Sequence, residues 1–199
     1  MISTILLTLA AYLIGSVPFG LLISKTQGKD IRSLGSGNIG ATNVLRCLGK
    51  PLGITCFVLD VLKGFLPALF FPMIGNSGAD TGILFGAAAI LGHNFPVFLK
   101  FKGGKGVATS AGVLFGVAPL AVVIGLVVWV TVFKISGYVS LGSIVAAVVV
   151  VIAGWTLGYG TVTAIALTLL GALSIYRHRS NIQRLIKGEE NKFERKKKQ

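Results

Sequence analysis

From Val107 to Tyr176 the chain carries one formal charge, Lys134, and two further blocks, Ile2 to Ser24 and Gly82 to Leu99, carry none. In a chain of 199 residues, 53% of them hydrophobic, with a mean hydropathy of +0.83, stretches of this length require lipid as their solvent and read as bilayer-spanning helices. The expected fold is an all-α integral membrane protein: one polytopic membrane domain over residues 1–199, with a basic cytoplasmic tail over 187–199. The first block lacks a basic leader, and its small pair Ala10-Ala11 sits too early for cleavage, so it is read as a mature span rather than a signal peptide.

Charge then sets topology. The net charge is +13, and Lys and Arg cluster at Lys25 to Lys50, Lys100 to Lys105 and Arg177 to Lys198. Such loops stay on the cytoplasmic side, so the three clusters share a face. Between the first two lies Gly75-Asn76-Ser77-Gly78-Ala79-Asp80, a turn without Lys or Arg, which reads as an external turn and places the amino terminus outside and the carboxyl terminus inside. Breaks at Pro119, Lys134 to Gly137 and Gly154 to Gly160 divide the long block into four pieces, giving seven transmembrane helices, some short or broken; two longer crossings, giving five, is the alternative.

Three segments on the cytoplasmic side carry candidate chemistry. In Ser33 to Arg46, Gly35, Gly37 and Gly40 let the backbone approach a ligand, Ser36, Asn38, Thr42 and Asn43 supply polar groups, and Arg46 supplies a fork suited to phosphate. A flexible turn-rich loop is the bland reading, and there is no Walker or dinucleotide pattern. In Gly92 to Gly106, Pro96, Gly103 and Gly104 interrupt helical bonding at membrane depth, and Lys105 stands where a new helix begins, beside its unbonded amides. Lys100 and Lys102 are explained by positive-inside anchoring. In Tyr176 to Leu185, His178 and Asn181 share a face if the helix continues, while Arg177, Arg179 and Arg184 are explained as snorkelling cations. Glu189 to Gln199 reads as solvated.

Asp60 and Lys63 stand i to i+3 inside an apolar stretch, either as a functional pair or as a self-neutralising one; with His93 they are taken as support for the site. Ser143, near Gly137 and Gly142, belongs near the cytoplasmic end of its helix, where packing through small residues also explains it. With six acids in all, no carboxylate pair exists for general acid and base work, and neither GxSxG nor His-x4-Asp occurs, since Phe98 and Gln183 stand where that acid would be. Cys47 and Cys56, with no second Cys/His cluster, indicate neither a disulfide framework nor a metal site. No metal, cofactor or nucleic-acid partner is expected.

Taken together, SGNIGATNVLR (Ser36 to Arg46), GHNFPVFLKFKGGKG (Gly92 to Gly106) and RHRSNIQRL (Arg177 to Leu185) resemble, in order and over essentially the whole chain, the bacterial membrane glycerol-3-phosphate acyltransferases that use acyl phosphate as donor. The resemblance implies acyl transfer to the 1-hydroxyl of sn-glycerol 3-phosphate, giving lysophosphatidic acid and inorganic phosphate. It implies phosphate contacts from Ser36, Arg46, Lys105 and Asn181, with His178 and Ser143 completing the pocket and Gly35, Gly37, Asn38, Gly40, Thr42 and Asn43 shaping the first loop. The expected protein is a monomer in the cell (inner) membrane, its active site facing the cytoplasm and its partners acyl phosphate, sn-glycerol 3-phosphate and membrane lipid. The base is either His178 or a substrate phosphate. A transporter of phosphate-bearing anions is the rival class, disfavoured because the outer halves of the spans are almost wholly apolar.

Overall fold

The computed structural model describes residues 2–76, 78 and 81–193, among which regular structure is helical only. The chain divides into two compact units, Met1–Pro119 and Leu120–Gln199. The first holds α1 (Ile2–Ser16), α2 (Phe19–Thr26), α3 (Ala41–Leu48), α4 (Lys50–Ile74), α5 (Gly82–Asn94) and α6 (Val107–Val117). The second is built from α7 (Pro119–Ser136), α8 (Val139–Thr156), α9 (Thr161–Arg177) and α10 (Arg179–Lys187).

Polarity runs opposite to that of a water-soluble bundle. Leu6, Leu9 and Leu13 on α1 and Ile54, Phe57 and Phe70 on α4 are exposed, whereas Asp60, Lys63, His93, Asn94 and Thr109 are buried. Apolar side chains facing lipid gain nothing from mutual contact, so the helices associate instead through close backbone approach at small residues. In the first unit α4 packs on α5 and α6, and α1 packs on α5. Added side-chain carbons at Gly15 and Gly92 would strike the Ala89 and Tyr12 carbonyl oxygens, and at Gly64 and Gly112 those of Thr109 and Val61. In the second unit Gly154 on α8 lies against Leu167 on α9, and Gly171 against Val151.

Five segments are long and apolar enough to cross a membrane: Ser3–Thr26, Lys50–Ile74, Gly82–Leu99, Pro119–Ser136 and Val139–Thr156. Val107–Val117 and Thr161–Arg177 are apolar but shorter; the 11 residues of α6 reach only about 16 Å against a hydrocarbon core of roughly 30 Å. The breaks read from the sequence fall at helix ends: α6 stops before Pro119, α7 and α8 part at Gly137, and α8 and α9 part between Leu157 and Gly160. Of the expected external turn, Gly75 and Asn76 follow α4 directly, while Ser77, Ala79 and Asp80 lie outside the described residues.

One expectation needs correction. The uncharged block Ile2 to Ser24 is not one continuous helix, because it parts into α1 and α2 at Val17-Pro18. Proline has no amide hydrogen, and its ring displaces the preceding turn. The Val17 carbonyl, outside the helix at this break, accepts from Lys63 Nζ at 2.9 Å and from the Phe19 amide at 3.1 Å.

The close approach of α4 and α6 yields a direct test. Gly64→Val should lower stability by about 1–3 kcal/mol, read as a depressed melting temperature in detergent. Gly78→Ala, where an added carbon meets nothing within 4 Å, should leave it unchanged.

Candidate active site

In the first unit, the segment between α2 and α3 is a loop fastened from within. Ile31, Ile39 and Val44 are buried against Leu21 and Cys56, which pins the loop to α2 and α4. Gly35 and Gly37 take φ of +55° and +69°, a backbone region that other residues reach only with strain. Around these turns the Asn43 side chain donates to the carbonyls of Leu34 and Asn38, both at 2.9 Å, and accepts from the Ser36 amide at 3.0 Å. Asn38 Oδ1 accepts from the Gly40 amide at 2.8 Å. The structure therefore puts Asn43 and Asn38 inside the loop as its fasteners. Ser36 is exposed, Thr42 and Arg46 are half-buried, and Gly40 caps the start of α3, which carries Arg46 in its last turn. Asp30 is engaged next to this loop: its hydrogen bonds from the Arg32 guanidinium and amide hold its carboxyl down at about 2.

The second segment folds back on the end of α5. Tyr12 on α1 donates its hydroxyl to the Phe95 carbonyl at 2.7 Å, and the Gly104 amide donates to the His93 carbonyl at 3.1 Å. Lys100 and Phe101 adopt left-handed backbone with φ of 51° and 63°, turning the chain so that Phe98 and Phe101 are exposed. Gly104 and Gly106 are buried and Lys105 between them is half-buried. Helix α6 starts immediately after Gly106, so Lys105 lies at its amino end, where unbonded amides and the positive end of the helix dipole favour an anion.

Buried beside this loop, Lys63 Nζ and Asp60 Oδ1 are 2.7 Å apart, and His93 Nδ1 lies 3.7 Å from the same oxygen.

In the second unit the final helix does not continue unbroken. His178 is the joint between α9 and α10, its amide bonded to the Ser174 and Ile175 carbonyls and its own carbonyl accepting from Ile182. Its Nδ1 sits 2.8 Å from the Ser174 carbonyl oxygen. A carbonyl only accepts, so Nδ1 carries the hydrogen of this contact. Both His178 and Asn181 are buried. Ser143, in the second turn of α8, donates to the Val139 carbonyl at 3.0 Å and accepts from Trp129 Nε1 at 3.1 Å, tying α7 to α8.

Sequence reasoning missed Glu190. It was read as part of a solvated tail, yet its carboxylate is only 6% exposed and accepts from Asn181 Nδ2 at 2.7 Å, Arg184 Nε at 2.8 Å and Ser140 Oγ at 3.0 Å. The chain returns because Gly188 takes φ +72° and the Glu189 amide caps α10 on the Arg184 carbonyl. A glycine directly after the last helical residue is the signal that could have announced this turn. Beyond it the Phe193 amide donates to the Gly137 carbonyl and its ring meets Phe133 edge-on, so Glu190 and Phe193 pack against the unit while Asn191 and Lys192 between them are exposed. The remainder of the expected tail, 194–199, lies outside the described residues.

A helical integral membrane protein with basic, glycine-rich loops between its helices is the class that fold and site define. The model of the glycerol-3-phosphate acyltransferase family matches residues 5–188. The glycerol-3-phosphate acyltransferase of Aquifex aeolicus is 47% identical over 189 residues, covering 94% of this chain and 97% of its own. That of Bacillus cereus strain G9842 is 49% identical over 201 residues and covers both chains fully. The crystal structure of PlsY (YgiH), an integral membrane glycerol 3-phosphate acyltransferase in its glycerol 3-phosphate form, superposes with a TM-score of 0.91 at 46% identity, covering 96% of each chain; its lysophosphatidic acid form gives 0.89 at 45%. The chain belongs to the glycerol-3-phosphate acyltransferase family, and it is an acyltransferase of phospholipid biosynthesis.

Glu190 supplies a prediction of its own. Burial works against its ionisation, but the hydrogen bonds from Asn181, Arg184 and Ser140, with the Arg184 charge, outweigh it and hold the carboxyl below the ordinary glutamate value. Its contribution is therefore complete above the unfolded-state pKa and is lost as pH falls through the lower native one. Glu190→Gln should cost about 1–3 kcal/mol at neutral pH, and its melting temperature should lack the corresponding acid-side fall seen in the parent.

Proposed function

We propose that this chain transfers a fatty acyl group from acyl phosphate to the 1-hydroxyl of sn-glycerol 3-phosphate, releasing lysophosphatidic acid and inorganic phosphate. The observation that carries the reading is the state of the carboxylates. Asp30 is tied to Arg32, Asp60 to Lys63, and Glu190 to Asn181, Arg184 and Ser140. Glu189 is on an exposed turn, and Asp80 and Glu194 fall outside the described residues. With Asp30, Asp60 and Glu190 committed in this way, the reaction suits a donor that needs little help: a mixed anhydride with a good leaving group. The glycerol 3-phosphate and lysophosphatidic acid forms of the related PlsY support the acceptor and product.

In this mechanism the 1-hydroxyl oxygen attacks the acyl carbonyl carbon directly, with no covalent enzyme intermediate. The bond from that carbon to the phosphate oxygen breaks, and phosphate leaves with the electron pair. Ser36, Arg46, Lys105 and the amides of Gly103 and Gly104 serve the phosphate groups, with Gly35, Gly37, Asn38, Gly40, Thr42 and Asn43 giving the first loop its shape and Asn181 adding an amide contact. Donors of this kind stabilise charge developing on the carbonyl oxygen and on the departing phosphate. The proton passes to the phosphate of a substrate or to His178 Nε2. Ser143 holds α8 in place, and Asp60, Lys63 and His93 support the second loop. We further propose seven crossings, including the short α6 and α9, an external amino terminus, a cytoplasmic carboxyl terminus and active site, residence in the cell (inner) membrane, and a functional monomer.

Purified protein given palmitoyl phosphate and sn-glycerol 3-phosphate should release phosphate and lysophosphatidic acid, and palmitoyl-CoA should not substitute. Lys105→Ala should lower turnover by roughly 100-fold or more. No product from either donor, in folded protein, would overturn the reading. His178→Gln separates the two proton routes: a loss of about 100-fold or more assigns the base to His178, and retention of most turnover assigns it to phosphate.

A further inference from the structure

Lys63, Asp60 and His93 are each 4% exposed or less, and they form a chain of contacts with an identifiable object at each end. At one end Lys63 Nζ bonds the Val17 carbonyl at the α1–α2 break. In the middle, Asp60 Oδ1 is 2.7 Å from Lys63 and 3.7 Å from His93 Nδ1. At 3.7 Å the contact is electrostatic rather than a hydrogen bond: Nδ1 is the ring nitrogen turned toward Asp60, and Nε2 is the one turned toward Gly104. At the other end, Nε2 is the atom that a side-chain carbon on Gly104 would strike first. The same residue's carbonyl accepts from the Gly104 amide at 3.1 Å.

The loop itself is cast against this end of α5. A side-chain carbon at Gly103 would strike the His93 carbonyl and Pro96 Cδ and come within 2.7 Å of the Asn94 carbonyl; one at Gly106 would lie 2.8 Å from Asn94 Oδ1. Three glycines around Lys105 thus have no space to relax into. Their backbone takes its position from the surface beneath, and the His93 ring is the part of that surface held by charges.

We propose that Asp60 and His93 are positioning residues: the buried Lys63–Asp60–His93 relay fixes the backbone of Gly103 to Gly106 and, through it, Lys105. The proposal rests on the phosphate role assigned above to that loop. It goes beyond a self-neutralising ion pair, which an apolar pair of similar size could replace at no loss. Displacements near 1 Å in a site's support are enough to degrade binding and turnover.

The two roles separate in the double variant Asp60→Asn, Lys63→Met, which removes both charges and leaves no buried ion uncompensated. A purely structural pair predicts that this variant regains parental melting temperature, loop protection and kinetics together. The relay predicts parental melting within a few degrees but faster hydrogen exchange of the amides in 103–106 and a KM for sn-glycerol 3-phosphate raised on the order of tenfold, with kcat changed less. Parental exchange in that loop would overturn the proposal. Exchange is read without substrate, so it judges the relay even if the acyl phosphate reading fails in the parent. Should the double variant not fold, His93 alone decides. A glutamine places its amide near the Nε2 position and leaves Asp60 without its Nδ1 partner, so under the relay His93→Gln should speed exchange in 103–106. Parental protection in that variant would overturn the proposal as well.

Discussion

In a lipid solvent, a backbone carbonyl or amide released by a break in a helix has to find its partner within the protein. This chain breaks its helices repeatedly, and several of its polar side chains meet the backbone groups at those breaks. At Pro18 the Val17 carbonyl takes the Lys63 ammonium. At the end of α5 the Phe95 carbonyl takes the Tyr12 hydroxyl, and the His93 carbonyl takes the Gly104 amide. At the start of α7 the amides of Leu120 and Ala121 both donate to the Tyr159 hydroxyl. These bonds permit irregular backbone at depth, and in the proposed function that backbone carries the amides and glycines that serve phosphate.

How much of this the sequence discloses depends on the range of the interaction. Helix ends at Pro119, Gly137 and Gly160 were readable because proline and glycine act locally. The start of α6 after Gly106 was readable for the same reason. The Asp60–Lys63 pairing followed from helical spacing, but the attachment of Lys63 to Val17 did not, since it joins residues 46 positions apart. Pro18 was overlooked because composition sees an uninterrupted apolar block and not the hydrogen bond that proline removes. Asn43 could be assigned to the first loop, but not its role as the fastener that braces Gly35 and Ser36. Glu190 was hidden for a different reason: an acid among lysines looks solvated unless the turn at Gly188 is given its full geometric effect.

The scarcity of carboxylates also has an energetic side. Among the described residues, each buried or half-buried acid lies against a cation or a hydrogen-bond donor, and none is arranged as a pair of acids sharing a proton. A site of the proposed kind gains from this arrangement, because a free carboxylate nearby would repel a phosphate-bearing substrate. Cations, amides and hydroxyls remain, which is a composition suited to stabilising an anionic leaving group rather than to forcing a reluctant one.

Glu190 also changes where the protein ends in practice. The family match stops at residue 188, two positions before the carboxylate that engages Asn181, Arg184 and Ser140. A boundary drawn by sequence similarity would therefore leave out the carboxylate that bridges α10 to the first turn of α8, so a chain trimmed there should lose the tie that holds its last helix to the helix beside it.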